Sequence, residues 1–212
     1  MRNYLTFASL IILAAITYGC ADPAANKPKA TVGNAQSESN STKPAGAEKL
    51  VISPENSKVE FVAAKVTRSH NGSFKQFAGS IDLAPNGITD SRVTIDIDTA
   101  SVVTDEDDLT KHLKTPDFFD VAKYPKATFV STKIEPGSGG GTYNVTGNFD
   151  LHGVKKSITF QATISVTPDS ASVSAEFAIS RKDFAIVYAG KADDLIRDGV
   201  VIKLTVKAPR TK

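Results

Sequence analysis

Apolar and polar residues alternate with a period of two through most of the chain beyond Leu50. Residues 58–66 place Val59, Phe61 and Ala63 on one face, and residues 77–83 do so with Phe77, Gly79, Ile81 and Leu83. Residues 92–99 set Val93, Ile95 and Ile97 against Thr94, Asp96 and Asp98. The alternation returns in 142–151, 157–166, 172–180 and 200–206, whereas 128–134 is apolar without a clear face. Turn-forming runs separate these segments: Pro-Asn-Gly at 85–87, Pro-Gly-Ser-Gly-Gly-Gly at 136–141, Leu-His-Gly-Val at 151–154 and Thr-Pro-Asp-Ser at 167–170. Short strands at regular spacing with turn residues between them predict an antiparallel meander of about eight strands.

With one oily face per strand, such a sheet solves its edge problem most economically by closing on itself. The predicted fold is therefore all-β, an eight-stranded antiparallel up-and-down barrel of lipocalin-like kind. A β-sandwich competes, but the connections read as successive hairpins and none as a long Greek-key crossover.

One stretch breaks the alternation. Thr104 precedes an acidic Asp-Glu-Asp-Asp run, with Leu109 and Leu113 four apart, so a short helix capped by Thr104 is expected after the third strand. It should stop before Pro116, beyond which Phe118, Phe119, Val121 and Tyr124 form an apolar cluster closed by Pro125. On a barrel, this element either covers an open end or fills the core.

The first residues belong to another class of segment. A single basic residue, Arg2, is followed by a nearly uncharged run ending at the only cysteine, Cys20. The run matches the apolar region of a secretion signal better than a bilayer span, and residues 1–19 are expected to be removed. The sequence around Cys20 resembles the lipobox of bacterial lipoproteins, with the small Gly19 just before it. That resemblance implies a lipidated Cys20 and a membrane-anchored protein of the bacterial envelope facing the periplasm. Residues 20–49 hold one branched aliphatic, Val32, and no aromatic residue, so a disordered tether is expected, spanning about 30 Å as a flexible coil. The barrel domain takes residues 50–212.

Net charge is +2 for 212 residues, without a basic run, which gives no footprint for nucleic acid. Sequence signatures of serine hydrolases, zinc proteases and phosphate-binding loops are missing. Gly-Ser-Gly-Gly-Gly at 137–141 lies between two strands and reads as a hairpin loop. His70, His112 and His152 are dispersed, and the acidic run lacks the central glycine and final glutamate of a calcium loop, so no metal or cofactor is expected.

Residues 112–134 and 143–160 together carry a recognisable series: His112 to Thr115, Asp117 to Asp120, Lys123 to Pro125 with Thr128 and Phe129, and His152 to Lys156. In this order the motifs resemble the YceI family of bacterial secreted proteins, over residues 50–209. The resemblance implies an extended barrel with a helix at one side and an elongated apolar tunnel holding an isoprenoid, quinone-like or other long-chain lipid, without catalysis. The first strand departs from the family, with Ser53 where many relatives begin at aspartate.

Tunnel residues expected on this basis are Phe61, Phe77, Ile81, Phe118, Phe119, Phe129, Phe149, Phe160, Phe177, Phe184 and Tyr188. The small residues Ala63, Gly79, Gly147, Ala162 and Ala175 either leave a channel or permit the bends of a closed sheet. The connection 180–200 is too apolar for an idle loop. It either brings Arg181, Lys182 or Arg197 to a ligand head group or pairs them with Asp183, Asp194 and Asp198 on the surface. The expected partners are a lipophilic small molecule and, through Cys20, a membrane. A purely structural envelope module, its barrel packed solid, is the competing reading.

Overall fold

The computed structural model describes residues 21–37 and 42–210; Cys20 and the apolar run before it lie outside the described residues. The strands are β1 (Thr31–Asn34), β2 (Glu48–Ile52), β3 (Ser57–Ala64), β4 (Ser69–Phe74), β5 (Phe77–Ala84), β6 (Gly87–Asp98) and β7 (Val102–Thr104). After helix α1 (Asp107–Leu113) come β8 (Lys126–Pro136), β9 (Thr142–Leu151), β10 (Val154–Val166) and β11 (Ser170–Ser180). A two-residue ribbon of β12 (Gly190–Lys191) and β13 (Asp194–Leu195) leads to β14 (Gly199–Pro209).

Among the described residues the fold is all-β with one short helix, but eight strands was an undercount, and the sheet is a curled half-barrel: its ladder ends at β2 and β7, and β3 lies between β14 and β4 where successive hairpins would have paired it with β2. Twelve strands form one sheet in the order β2-β5-β6-β8-β9-β10-β11-β14-β3-β4-β7, with β1 added on β10. Two of the extra strands come from breaks in long ribbons. β4 and β5 part at Lys75 and Gln76, whose amides donate to the Ser101 carbonyl and hydroxyl. β6 and β7 part at a 3-10 turn, Thr99–Ser101, capped by the Asp98 carboxylate accepting from the Ala100 amide (2.9 Å). The polar sequence of β4 and the three residues of β7 give no period to read.

The segment 128–134 has no clear face because the ladder slips. Ser131 pairs with Gly147 and Lys133 with Thr146, leaving Thr132 as the extra residue of a bulge. Ala127, Phe129 and Ser131 are buried before it, and Ile134 resumes the buried face out of phase. The hairpin at 151–154 reads as expected: His152 (φ 54°) and Gly153 (φ 73°) both take the left-handed conformation that a two-residue turn between twisted strands requires.

Helix α1 begins later than expected. Its N-cap is Glu106, and the Thr104 hydroxyl donates instead to the Glu106 carbonyl and bonds the Thr110 hydroxyl (2.8 Å). The helix ends at Leu113, three residues before Pro116, with Leu113 buried.

The largest departure concerns the expected tether. β10 and β11 pair only between Thr163–Val166 and Ala171–Ser174, after which the two strands diverge. The N-terminal segment occupies the gap. β1 pairs with β10 from Thr31 opposite Thr159 to Asn34 opposite Lys156, while the Pro28 carbonyl and Ala30 amide bond the Ala178 amide and carbonyl (2.8 and 2.9 Å). Ala24 is buried against Ala178 and Val201. Val32 lies opposite Ile158 and packs on the core, and the Gln36 backbone then bonds both polar atoms of the Asn148 side chain. Composition pointed to disorder because it measures burial of side chains. This strap is held mainly by backbone groups of two strand edges that would otherwise lack partners.

Candidate functional site

The sheet curls around an apolar interior. One cavity, of about 120 Å³, is walled by residues of β3, β4, β6, β8, β9, β10, β11 and β14, including Val59, Phe129, Ile134, Val145, Phe160 and Phe177. A second, of about 110 Å³, lies toward α1 and is walled by Ala63, Leu113, Phe118, Phe119, Ile186, Ile196 and Val200 among others. Phe61, Phe74, Ile97, Phe149, Ile179 and Ile202 border both and form a waist between them. The two spaces lie to either side of this waist inside the curled sheet, and α1 and the 185–198 connection contribute Leu113, Ile186 and Ile196 to the second.

Aromatic rings set its bore. Phe61, Phe74 and Phe119 follow one another at centroid separations of 5.8 and 5.7 Å. Phe160 and Phe177 stack at 4.3 Å, nearly parallel, bridging β10 and β11 where their backbone ladder has ended. Two glycines make room for rings. A Cβ on Gly72 would lie 2.1 Å from Phe61 Cζ, and one on Gly147 would lie 2.4 Å from Phe129 Cζ. At Gly79 it would meet the Thr94 carbonyl oxygen at 2.3 Å, which marks a close strand approach. Ala63 alone of the five small residues borders a cavity.

Seven of the expected tunnel residues line the interior: Phe61, Phe118, Phe119, Phe129, Phe149, Phe160 and Phe177. Phe77 and Ile81 do not. They sit on β5 opposite Ile97 and Val93, with Leu50 of β2 also paired to Ile81, and are buried without bordering either cavity themselves. Phe184 is fully buried against Phe149 (5.2 Å) behind the wall, and Tyr188 packs on His112 and Phe118 (5.2 and 5.4 Å) outside it. Sequence reading missed Phe74, which ends the polar strand β4 where no period marks it; Leu113 on the helix and Ile186 in the apolar 180–200 connection were noticed but not placed at the wall.

Arg181 is the one cation at the wall of the α1-side cavity, and its side chain is 6% exposed. Its guanidinium donates to the carbonyls of Ile186 (2.8 Å), Arg197 (3.1 Å) and Ile196 (3.2 Å), fastening the 185–198 connection to the end of β11. Burial lowers its pKa from the ordinary guanidinium value, with Asp198 pulling the other way. Lys182 pairs with Asp198 (3.0 Å), Arg197 lies 3.9 Å from Asp22, and Asp194 pairs with Lys65. Surface pairing thus holds for Asp198, with Asp22 and Lys65 replacing the other expected partners.

The histidines serve separate elements. His70 Nδ1 bonds Asp105 (2.9 Å), His112 Nε2 bonds Asp117 (2.8 Å), and His152 stacks edge-on against Tyr124 (4.7 Å). Among the described residues, no three His, Cys, Asp or Glu side chains gather as a metal site would need, and no helix is long and apolar enough to cross a membrane.

The model of the YceI-like domain matches residues 50–208, the span that builds β2 to β14. The chain belongs to the YceI-like family. Curated relatives include UPF0312 proteins of Vibrio parahaemolyticus, 41% identical over 91 residues (43% of this chain, 48% of the relative), and Pseudomonas putida, 41% identical over 93 residues (44% and 48%). The YceI-like chain spans about half the length of these curated relatives in the matched region. Among solved structures, Burkholderia cenocepacia BcnA is 30% identical with a TM-score of 0.65, covering 72% of this chain and 96% of its own. The YceI protein of Campylobacter jejuni is 26% identical with a TM-score of 0.53, covering 66% and 85%. A polyisoprenoid-binding domain from Saccharophagus degradans, implicated in plant cell wall breakdown, shares the fold at a TM-score of 0.63 and 18% identity, covering 78% and 99%.

Proposed function

We propose that this YceI-like barrel binds and carries a long-chain lipophilic molecule, of isoprenoid, quinone-like or fatty-acid-like class, in the bacterial cell envelope. The observation that carries the reading is the pair of apolar cavities inside the curled sheet, separated by the Phe61–Phe149 waist. The charged residues of the lining stand apart, Glu60 at the first cavity and Arg181 at the second, and Arg181 spends its donors on backbone carbonyls and the Asp198 carboxylate. A fold neighbour named for polyisoprenoid binding supports the architecture as a container for such a chain. Each buried CH₂ contributes about 0.8 kcal/mol, so a slim hydrocarbon needs no polar anchor for retention. In the same reading Cys20 carries the lipid that holds the protein at the membrane on the periplasmic side.

The competing reading, a barrel filled for structure alone, draws on the size of the cavities. At about 120 and 110 Å³ they fall short of the roughly 300–1,000 Å³ usual for ligand pockets. A bound chain therefore requires waist rings to swing aside. Mass spectrometry of an organic extract, made from the full chain purified gently from its own host, separates the readings. A stoichiometric long-chain lipid is expected. A folded protein that comes out empty, and takes up no lipid when mixed with a host lipid extract, overturns the carrier reading.

A further inference from the structure

Four large apolar side chains stand exposed among the described residues, and three of them belong to the α1 end of the tunnel: Val66 (42% exposed), Val187 (65%) and Leu195 (49%). The Val66 amide donates to the Leu195 carbonyl (3.0 Å), which sets these two side by side. Val187 directly follows Ile186, a wall residue of the α1-side cavity, and Leu195 directly precedes Ile196, another. Scattered exposed aliphatics are ordinary on a soluble surface. Their concentration at one end, at the rim of an apolar cavity, asks for a partner that is itself apolar.

The strap identifies it. Asp22 lies 3.9 Å from Arg197, two residues past Leu195, and Ala24 is buried against Ala178 and Val201 at the same end of the barrel. Ala21, the first described residue, is therefore one residue, or about 4 Å of chain, from a docked one. The residue before it is Cys20, to which the reading above assigns the lipid anchor. Whatever holds residue 20 at a membrane holds this end of the barrel there too, because the strap leaves almost no slack.

We propose that the α1 end of the barrel is a membrane-docking face, with Val66, Val187 and Leu195 seated in the lipid interface so that the tunnel opens onto the bilayer. The orientation rests on the reading above that residue 20 is membrane-attached, and it adds which surface meets the lipid and by what route a hydrocarbon enters. A chain passing from bilayer to tunnel then never crosses water, and the barrier to loading falls on the rings and the 185–198 connection. Side chains that enter an interface contribute through their buried apolar area, so two or three aliphatics suffice to orient a body that is already anchored.

The test uses the full chain, purified from a bacterial host and reconstituted into vesicles of phosphatidylethanolamine and phosphatidylglycerol. Spin labels are placed at Val187→Cys, Leu195→Cys and, on the exposed hairpin at the opposite end, Ser138→Cys. Labels at 187 and 195 are expected to shift from aqueous to lipid-immersed, more accessible to oxygen than to a water-soluble nickel chelate, while the label at 138 stays aqueous. The parent chain, flotated with the vesicles and refusing label at Cys20, establishes the anchor independently. Co-flotation with labels at 187 and 195 as aqueous as at 138 overturns the docking face alone. A parent chain that takes up label at Cys20 and stays out of the vesicle fraction overturns the anchoring reading, and the docking face with it.

Discussion

Gly72 and Gly147 both lie beneath phenylalanine rings, yet alanine at the two positions should behave differently. At residue 72 the three atoms nearest an added Cβ all belong to the Phe61 ring, which can turn into the waist between the cavities. At residue 147 it also meets the Val130 carbonyl oxygen at 2.6 Å, a backbone atom held in the ladder. Gly72→Ala is expected to cost about 1 kcal/mol and to narrow the tunnel, and Gly147→Ala about 3 kcal/mol, both read from urea unfolding midpoints. Asp105 carries a pH dependence. Burial works against its ionisation, but the Asn71 amide, His70 and Arg68 together outweigh burial and hold the carboxyl below its ordinary range. The contribution of such a depressed carboxylate is present above its unfolded pKa and is lost as pH falls through the folded one. Acidification below about pH 4 should therefore loosen the start of α1. Amide exchange at Asn71 and residues 105–110 should accelerate there in the native chain and lose that pH step in Asp105→Asn.

The strap makes the seam between β10 and β11 the element whose stability depends on a segment from outside the family domain. Replacing Val32 by Asp puts a carboxylate opposite Ile158 on the core-facing side and should cost about 1–3 kcal/mol. The damage should be local. Hydrogen exchange is expected to quicken at residues 155–159 and at Ala178, while 163–166 and 171–174, which pair with each other directly, keep their protection. Uniform loss of protection along both strands would show that the strap supports the whole barrel instead. This is also the element least legible in the sequence. Period two located the long strands because each buries one face, and the His-Gly turn named its own geometry. The strap buries little beyond Ala24 and Val32, so its extended form is dictated by unpaired backbone groups more than a hundred residues away. The kinks that split β4 from β5 and β6 from β7 are likewise set by hydrogen bonds to Ser101 and Asp98, which no alternation encodes.

Across the molecule, the tunnel was legible in part. Phenylalanines on inward faces of β3, β9, β10 and β11 could be named because strand alternation fixes which way they point, whereas Phe129 of β8 was named through the family resemblance. Phe77 and Ile81 obey the same alternation and are buried, yet they border neither cavity. If the waist limits what the barrel can hold, Phe61→Ala and Phe149→Ala should each join the two cavities and raise the amount or length of lipid retained after purification. Each should also cost about 3 kcal/mol in stability, and mass spectrometry beside thermal melting reads both effects. Unchanged lipid content in a variant that still melts cooperatively would place the constriction elsewhere.

A consequence of the strap concerns the order in which the protein can be built. β1 is made before the rest of the sheet, and the slot it fills exists only once β10 and β11 have been synthesised and joined at their hairpin. Such contacts, between partners so distant in sequence, form late because loop closure must be paid first. A newly made chain thus passes through a stage with two strand edges open and its first strand free. Another copy's first strand would fit the open slot equally well, so speed of closure in its own chain, as much as the strength of the closed state, keeps the protein a self-contained unit.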